Sequence, residues 1–195
     1  MLVSEKYYMS KKGNLNIVDE NGKIIGEDSR ENIHNKGLLH REVHVWFYTP
    51  KGKIIFQHRS KNADTYPNLL DASAGGHVEI GDDYECAALK ETEEETGIKT
   101  NKDKLIFIEY TRTRSFDSVT NKTNNVLRAI YAYCFEKDIK TLKLEQDKGV
   151  GFEAWPFERV FKLSGEDRKK LIPGIAKEPT LSILKKIQII SSQIK

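Results

Sequence analysis

Cysteine and long apolar runs are both scarce in this chain. Only two cysteines occur among the 195 residues, Cys86 and Cys134, and their spacing is far from the C-x-x-C of zinc and redox sites. We therefore expect neither a disulfide framework nor a zinc site, and reduced thiols are typical of a cytoplasmic protein. No apolar run is long enough to cross a bilayer and the N-terminus has no apolar signal segment, so no membrane association is expected.

An excess of charge of either sign is also lacking. Lysine and arginine number 32 and aspartate and glutamate 29, which leaves a formal net charge of +3. A nucleic-acid-binding protein carries a concentrated basic stripe, so we expect no nucleic-acid partner, whereas a small anionic substrate suits this mild charge. The hydrophobic fraction of 38% and the charged fraction of 31% are ordinary for a folded chain and argue against disorder.

Apolar periodicity predicts strands that alternate with helices. The Asn21-Gly22 pair lies between two apolar stretches and indicates a hairpin. Further strands are predicted at 40–48, 54–59, 104–112 and 126–135, and helices near 29–36 and 179–190. The polar span 113–125 is predicted to be a mobile loop. Hairpins mixed with helix crossovers predict an α/β/α sandwich around a mixed β-sheet.

The chain length predicts one domain. A chain of 195 residues is long enough for one substantial core. We predict a single domain over residues 1–195, with its core at about 14–160 and with an N-terminal hairpin and a C-terminal helix appended to that core.

The most informative stretch is residues 75–98, a glycine-rich turn that leads into a helix. Asp82 or Asp83 fits the N-cap of this helix, and Gly97 fits its C-cap. The same stretch contains four glutamates among residues 91 to 95. A solvated helix face is the ordinary explanation of such a charge run.

Three of these glutamates lie on one side of the predicted helix. At about 100° per residue, Glu94 and Glu95 each lie within about 60° of Glu91, on either side of it. Carboxylates at these spacings repel each other, and Lys90 is the one lysine close by. Carboxylate oxygens beside a close backbone approach are typical of a site for a hard divalent cation.

The stretch resembles the Nudix box, G-x5-E-x7-R-E-U-x-E-E-x-G-U, in which U is a bulky aliphatic residue. The residues that match it are Gly76, Glu91, Glu94, Glu95, Gly97 and Ile98. Three positions depart from it: Asp82 replaces the first glutamate, Lys90 replaces the arginine and Thr92 replaces an aliphatic residue. Asp82 and Lys90 keep the charge but lose reach and bidentate geometry, respectively.

The resemblance implies hydrolysis of a phosphoanhydride bond in a nucleoside diphosphate linked to another group, X. Under it, Glu94 and Glu95 are metal ligands, Glu91 is a ligand or the general base, and the carbonyl near Gly76 completes the metal site. These three glutamates are the predicted catalytic residues. Mg²⁺ is the expected cofactor, with Mn²⁺ as the alternative, because the ligands are all oxygen atoms.

Other residues are candidates for contacts with the diphosphate substrate. Arg41, Arg59 and Lys61 are predicted to bind phosphate, with solvated surface charge as the alternative. The family often uses a further carboxylate outside the box, and four residues remain open for this role: Asp117, Glu145, Asp147 and Glu153. Trp46 is expected to pack in the core rather than stack on substrate. A homodimer is expected by analogy with the family.

Outside the box, residues at about 14 to 160 resemble the Nudix branch similar to isopentenyl-diphosphate isomerase. This resemblance implies that His40 and His77 match metal ligands of the isomerase, and local hydrogen bonding is the alternative. Gly75 stands where the isomerase has a cysteine, and Asn125 stands near its glutamate. Neither residue moves protons near neutral pH, so isomerisation is disfavoured. A non-catalytic Nudix-fold nucleotide sensor is the third alternative, and the intact glutamates argue against it.

Overall fold

The computed structural model describes residues 13–63, 66–144 and 149–193. The strands are β1 (Asn14–Val18), β2 (Ile24–Ser29), β3 (His40–Thr49), β4 (Lys53–Arg59), β5 (Leu70–Asp71), β6 (Ala74–His77), β7 (Leu105–Asp117), β8 (Lys122–Cys134) and β9 (Gly149–Pro156). The α-helices are α1 (Arg30–Lys36), α2 (Tyr84–Thr96), α3 (Phe157–Phe161), α4 (Gly165–Lys170) and α5 (Thr180–Gln193). Short 3-10 helices cover Lys102–Lys104 and Ile139–Thr141.

Strand β3 is the centre of one mixed sheet. It pairs in parallel with β8 along nearly its whole length, from His40 opposite Val126 to Tyr48 opposite Cys134. On its other side β3 pairs antiparallel with β6 and then with β4. Strand β7 adds to β8, β9 adds to β4, and the β1–β2 hairpin joins β3 through one bridge. The predicted mixed sheet and the predicted hairpin are confirmed.

Alternate residues of β3 supply two separate cores. Val43, Val45 and Phe47 face the side of the sheet that carries α2, where they pack with the small residues Ala87 and Ala88. Successive side chains of a strand point to opposite faces, so Trp46 and Tyr48 belong to the core on the other side. Helices cover both faces, which confirms the predicted α/β/α sandwich.

The C-terminal helix α5 is part of the second core. Its residues Ile183, Leu184 and Ile187 are at most 2% exposed and pack with the β3 and β9 tryptophans. Burying a side chain of this size stabilises the fold by about 1.5–3 kcal/mol. The predicted extent of the domain remains a prediction. Among the described residues, no helix is both long enough and apolar enough to cross a membrane.

The loop predicted at 113–125 is wrong. Strand β7 continues to Asp117 and β8 begins at Lys122, so most of this span is a hairpin. Ladder hydrogen bonds use backbone groups, and a polar strand is stable where its side chains face solvent or a cavity. Asn121 has a φ of 56° in the turn, a left-handed conformation that asparagine tolerates.

Candidate functional site

Helix α2 begins and ends at the residues that its sequence predicts. The Asp83 side chain accepts a hydrogen bond from the Cys86 backbone N–H at 2.7 Å, so Asp83 and not Asp82 is the N-cap. Gly97 ends the helix in a left-handed conformation with a φ of 69°, and its N–H donates to the Glu93 carbonyl oxygen. These caps satisfy otherwise unpaired backbone groups and fix where the glutamate face of the helix points.

The two charged departures from the Nudix box pair with each other. Lys90 Nζ lies 2.6 Å from Asp82 Oδ2 and 3.6 Å from a Glu79 carboxylate oxygen. The hydrogen bond with Asp82 raises the pKa of Lys90 above its ordinary value. Asp82, which is shorter than the glutamate of the box, is therefore paired with Lys90, which is more flexible than the arginine of the box. The pair is partly exposed, so its contribution to stability is at most about 1 kcal/mol.

The third departure, Thr92, fills a core position. Thr92 is fully buried, and its hydroxyl oxygen has no hydrogen-bond partner. Its methyl group packs where the box has an aliphatic residue, but a buried hydroxyl without a partner costs about 1–3 kcal/mol. The departure therefore affects stability rather than the carboxylate face.

Close backbone approach holds the glutamates against β6. A Cβ atom at Gly76 would overlap the carboxyl group of Glu91, so glycine leaves the space that this carboxyl group occupies. Glu95 is 6% exposed, and its Oε2 accepts hydrogen bonds from the Gly75 backbone N–H at 3.0 Å and from Gln57 Nε2 at 3.4 Å. Gln57 lies 38 residues before Glu95, and no local pattern indicated this contact.

The carboxylates fit a divalent cation. Glu91, Glu94 and Glu95 line the same cavity as Gly76, and Glu94 is exposed to solvent. This wall presents oxygen donors from three side chains and a nearby backbone. Mg²⁺ and Mn²⁺ prefer such hard ligands. The glycine that leaves room for Glu91 is the structural feature that brings carboxylate and backbone together.

A cavity of about 1370 Å³ begins at these carboxylates. Of the three predicted phosphate-binding residues, Arg59 lines it, and its Nη1 donates to Asp71 Oδ2 at 3.0 Å. Arg41 is not in the lining and donates instead to the Asp82 carbonyl oxygen at 3.3 Å. Lys61 is exposed and also lies outside the lining. The phosphate-binding roles of all three remain predictions, and the geometry favours Arg59.

Three histidines meet beside the carboxylate wall. Nitrogen atoms of His34, His40 and His77 all lie within 4.8 Å of one another. His34 Nε2 is 3.1 Å from His77 Nε2, and His40 Nδ1 is 2.9 Å from the Leu38 carbonyl oxygen. The buried Nε2 of His40 has no hydrogen-bond partner. His40 therefore makes a local hydrogen bond with one nitrogen and leaves the other available within the histidine group.

Glu42 is a buried carboxylate that sequence reasoning missed. Its Oε2 accepts from Arg128 Nη2 at 2.6 Å, and its Oε1 lies 3.7 Å from His77 Nε2. Burial opposes ionisation of Glu42, but the Arg128 guanidinium and the neighbouring histidines hold its pKa well below the usual range. Burial also lowers the pKa values of His34 and His77. Neutral imidazole is the form that binds metal.

Of the four candidates for an additional carboxylate, one lines the cavity, one lies outside the lining and two lie outside the described residues. Asp117 lines the cavity, but its carboxylate accepts hydrogen bonds from the Tyr66 backbone N–H at 2.9 Å and the Thr120 hydroxyl at 2.7 Å. Glu153 lies outside the lining and accepts from Trp155 Nε1 at 2.9 Å. The remaining two candidates lie outside the described residues: Glu145 and Asp147.

Comparisons with known proteins agree with this arrangement. Residues 38–174 match the NUDIX domain. An uncharacterized Nudix hydrolase of Clostridium acetobutylicum is 33% identical over 140 residues, which cover 70% of this chain and 66% of that protein. A second, from Yersinia pestis, is 39% identical over 84 residues, which cover 43% of this chain and 46% of that protein.

The fold is similar to that of a solved structure. A crystal structure of DR0079 from Deinococcus radiodurans is similar with a TM-score of 0.62 and 20% identity, over 89% of this chain and 98% of that protein. Gly75 and Gly76, which the sequence predicted in a turn, lie in strand β6. The box residues on α2, these two glycines and the match over residues 38–174 lead to one conclusion. This chain belongs to the Nudix family.

Proposed function

We propose that this protein is a Mg²⁺-dependent hydrolase of a phosphoanhydride bond in a nucleoside diphosphate linked to X, or in a related diphosphate. One observation carries the proposal: Glu91, Glu94 and Glu95 line one wall of a large cavity, with Gly76 against Glu91. The names of the relatives as Nudix hydrolases support it. The substrate is a small diphosphate, and Mn²⁺ is the alternative ion.

The chain's own residues supply position and charge. When bound, the cation neutralises the diphosphate and lowers the barrier to attack by water. Glu94 and Glu95 hold the cation, and Glu91 either joins them or accepts a proton from the water. Gly75 and Gln57 orient Glu95 through the two hydrogen bonds described above. In the reaction the water oxygen bonds to one phosphorus atom, the bond from that phosphorus to the bridging oxygen breaks, and two phosphate products form.

The proposed cellular location and partners of the enzyme follow from the sequence and from analogy with the family. Cys86 and Cys134 are both free thiols, which agrees with the prediction of a cytoplasmic protein. A homodimer is proposed by analogy with the family, and no nucleic-acid or membrane partner is expected.

A substrate screen with a matched pair of variants tests the proposal. Nucleoside diphosphates, sugar nucleotides, coenzymes and isopentenyl diphosphate are incubated with Mg²⁺ or Mn²⁺, and phosphate products are measured. Glu94→Gln is expected to lose most turnover with little loss of stability, because Glu94 is exposed. Glu93→Gln is the control on the same helix, since Glu93 pairs with Lys99 at 3.0 Å outside the cavity. Equal activity of both variants would contradict the proposal.

Isomerisation is a second candidate, favoured by the grouping of His34, His40 and His77. Two positions oppose it. A Cβ atom at Gly75 would lie 2.7 Å from His44 Cδ2 and 2.9 Å from the Val43 carbonyl oxygen, so the backbone here is packed for glycine. Asn125 Nδ2 donates to the Gly37 carbonyl oxygen at 2.8 Å. Interconversion of isopentenyl and dimethylallyl diphosphate in the same screen would favour this candidate.

A nucleotide sensor is separated from both enzymes by metal dependence. The sensor requires tight nucleotide binding without metal and no turnover of any compound in the screen. The hydrolase requires turnover that depends on Mg²⁺ or Mn²⁺ and on Glu94.

A further inference from the structure

The cavity that begins at the carboxylates continues along the sheet to an apolar end. Six residues form this apolar end: Trp46, Ala72, Ile130, Ile172, Ile175 and Ile183. Five of them are at most 3% exposed, and Ile172 is half-buried. The apolar end therefore lies between the sheet and the segment that leads into α5.

On β3 and β8 the lining of the cavity changes from charged to apolar side chains, while the Arg59–Asp71 pair and Lys177 line other parts of it. Glu42, His44 and Trp46 lie at alternate positions of β3 and line the cavity in this order. On β8, Arg128 lies opposite Glu42 and Ile130 lies opposite His44. Burial lowers the pKa of His44 to about 4, so its ring is uncharged at neutral pH. A molecule that follows these two strands passes from an ion pair to apolar surface.

Trp46 leaves one polar atom without a partner at the apolar end. Trp46 is 1% exposed, and its indole Nε1 has no hydrogen-bond acceptor among the residues that the structure describes. The other tryptophan behaves differently, since Trp155 Nε1 donates to Glu153 Oε2 at 2.9 Å. Buried polar groups are nearly always paired, and an exception requires an explanation. An acceptor on a bound ligand would supply the missing partner of Trp46.

Part of the apolar end lies beyond the family domain. The NUDIX match ends at residue 174, whereas Ile175 and Ile183 follow it. The segment is attached to the sheet by the hydrogen bond from the Ile172 backbone N–H to the Leu70 carbonyl oxygen at 3.1 Å. The carboxylate wall thus lies within the NUDIX match, whereas two residues of the apolar end follow it.

We propose that the apolar end binds the group X and selects an uncharged, weakly polar X that carries a hydrogen-bond acceptor for Trp46. This inference rests on the proposed function for the position of the diphosphate at the carboxylate wall. The cavity of about 1370 Å³ holds both parts, since small-ligand pockets are commonly about 300–1,000 Å³. A polyhydroxylated X would lose water from hydroxyl groups, and the six apolar side chains, apart from the Trp46 N–H, offer them no hydrogen bonds in return.

Binding of three hydrolysis-resistant probes tests the subsite. The probes are the hexyl, 5-oxohexyl and glucosyl esters of methylenediphosphonate, and their Kd values are measured by calorimetry with Mg²⁺. We expect the 5-oxohexyl ester to bind most tightly and the glucosyl ester to bind at least about 10-fold more weakly. Trp46→Phe keeps a ring but removes the N–H, so only the 5-oxohexyl ester is expected to weaken, by about 2- to 12-fold.

A second variant tests the subsite even if Trp46→Phe impairs folding. Ile172→Ser is expected to weaken the hexyl ester and to leave the glucosyl ester unchanged. Ile189→Ser is the control, because Ile189 is 58% exposed on α5 and lies outside the cavity. Equal Kd values for the three probes, or equal weakening of all three by Trp46→Phe, would overturn the subsite.

Turnover is measured separately with the hexyl, 5-oxohexyl and glucosyl esters of diphosphate, in which the bridging oxygen replaces the methylene group of the probes. If none of the three releases phosphate and no compound of the nucleotide screen is hydrolysed, the proposed function is rejected, while the predicted order of Kd values still supports the subsite. If all three are hydrolysed but bind equally, the subsite is rejected and the hydrolase proposal stands.

Discussion

Replacing Gly76 with alanine is expected to move the Glu91 carboxylate without unfolding the protein. An ideal Cβ atom at residue 76 overlaps Glu91 Oε1 and Cδ and lies 2.7 Å from Oε2. The overlapping atoms are at the end of a flexible side chain, so Glu91 rotates away while the backbone keeps its place. Overpacking of this kind costs about 1–3 kcal/mol when nothing relaxes, and a rotatable carboxylate reduces that to about 1 kcal/mol or less.

The effect on activity is expected to be much larger than the effect on stability. A displacement of about 1 Å at a reacting group lowers turnover by about 100-fold, which is about 2.7 kcal/mol of barrier. One kcal/mol of stability is about 2–4 °C in Tm for a chain of this size. Gly76→Ala should therefore lose about 100-fold in kcat while its Tm falls by no more than about 4 °C.

A double-mutant cycle isolates the cause. In a Glu91→Ala background no carboxylate remains to be displaced, so adding Gly76→Ala should lower kcat no further. Gly151→Ala is the matched control, because a Cβ atom at this strand glycine would have no neighbour within 4 Å. Phosphate release and thermal melting are measured for the four cycle members and the control. Activity of Gly76→Ala within threefold of wild type, or additive losses in the cycle, would refute the reasoning.

Three further predictions concern stability, metal affinity and pH. Thr92→Val replaces a fully buried hydroxyl that has no partner, so thermal melting should show a Tm higher by about 2–4 °C. Gln57→Leu removes one of the donors to Glu95 and should raise the Mg²⁺ concentration for half-maximal activity by at least about 10-fold, with no rise contradicting its orienting role. Because burial lowers the pKa of His44 from 6.5 to about 4, the unfolded chain binds a proton there that the folded chain does not. Urea unfolding should therefore show about 3 kcal/mol of stability lost between pH 6.5 and pH 4 on account of His44, and His44→Gln should flatten that dependence.

Local patterns predicted the helix of the site well. The capping residues and the glutamate spacing act within a few residues of one another, so the sequence is enough to predict them. Gly75 and Gly76 were predicted in a turn but lie in strand β6, because their pairing partner β3 is distant in the chain. Asp83 and Gly97 cap α2 as predicted, and the 14–18 and 24–29 stretches form a hairpin. The polar 113–125 span was misread because strand propensity describes side chains, whereas the β7–β8 ladder is held by backbone hydrogen bonds.

Contacts between residues that are far apart in the chain could not be predicted from the sequence. His34 lies 43 residues from His77, and Gln57 lies 38 residues from Glu95. Strand register brings such residues together: β3 pairs Glu42 with His77 on one side and with Arg128 on the other. Register depends on the packing of whole strands, so no spacing within the chain encodes it locally.

The sequence by itself determined the Nudix helix, the carboxylate face on which the proposed metal site rests and the alternation that builds a two-faced sheet. These features follow from short-range geometry, because helix and strand periods decide which neighbouring residues share a face. Only the tertiary structure decided that Gly76 makes room for Glu91, that Glu42 joins the three histidines, and that Trp46 meets the segment before α5. Those contacts depend on which strands pair and which helix covers them, and packing of the complete chain settles both.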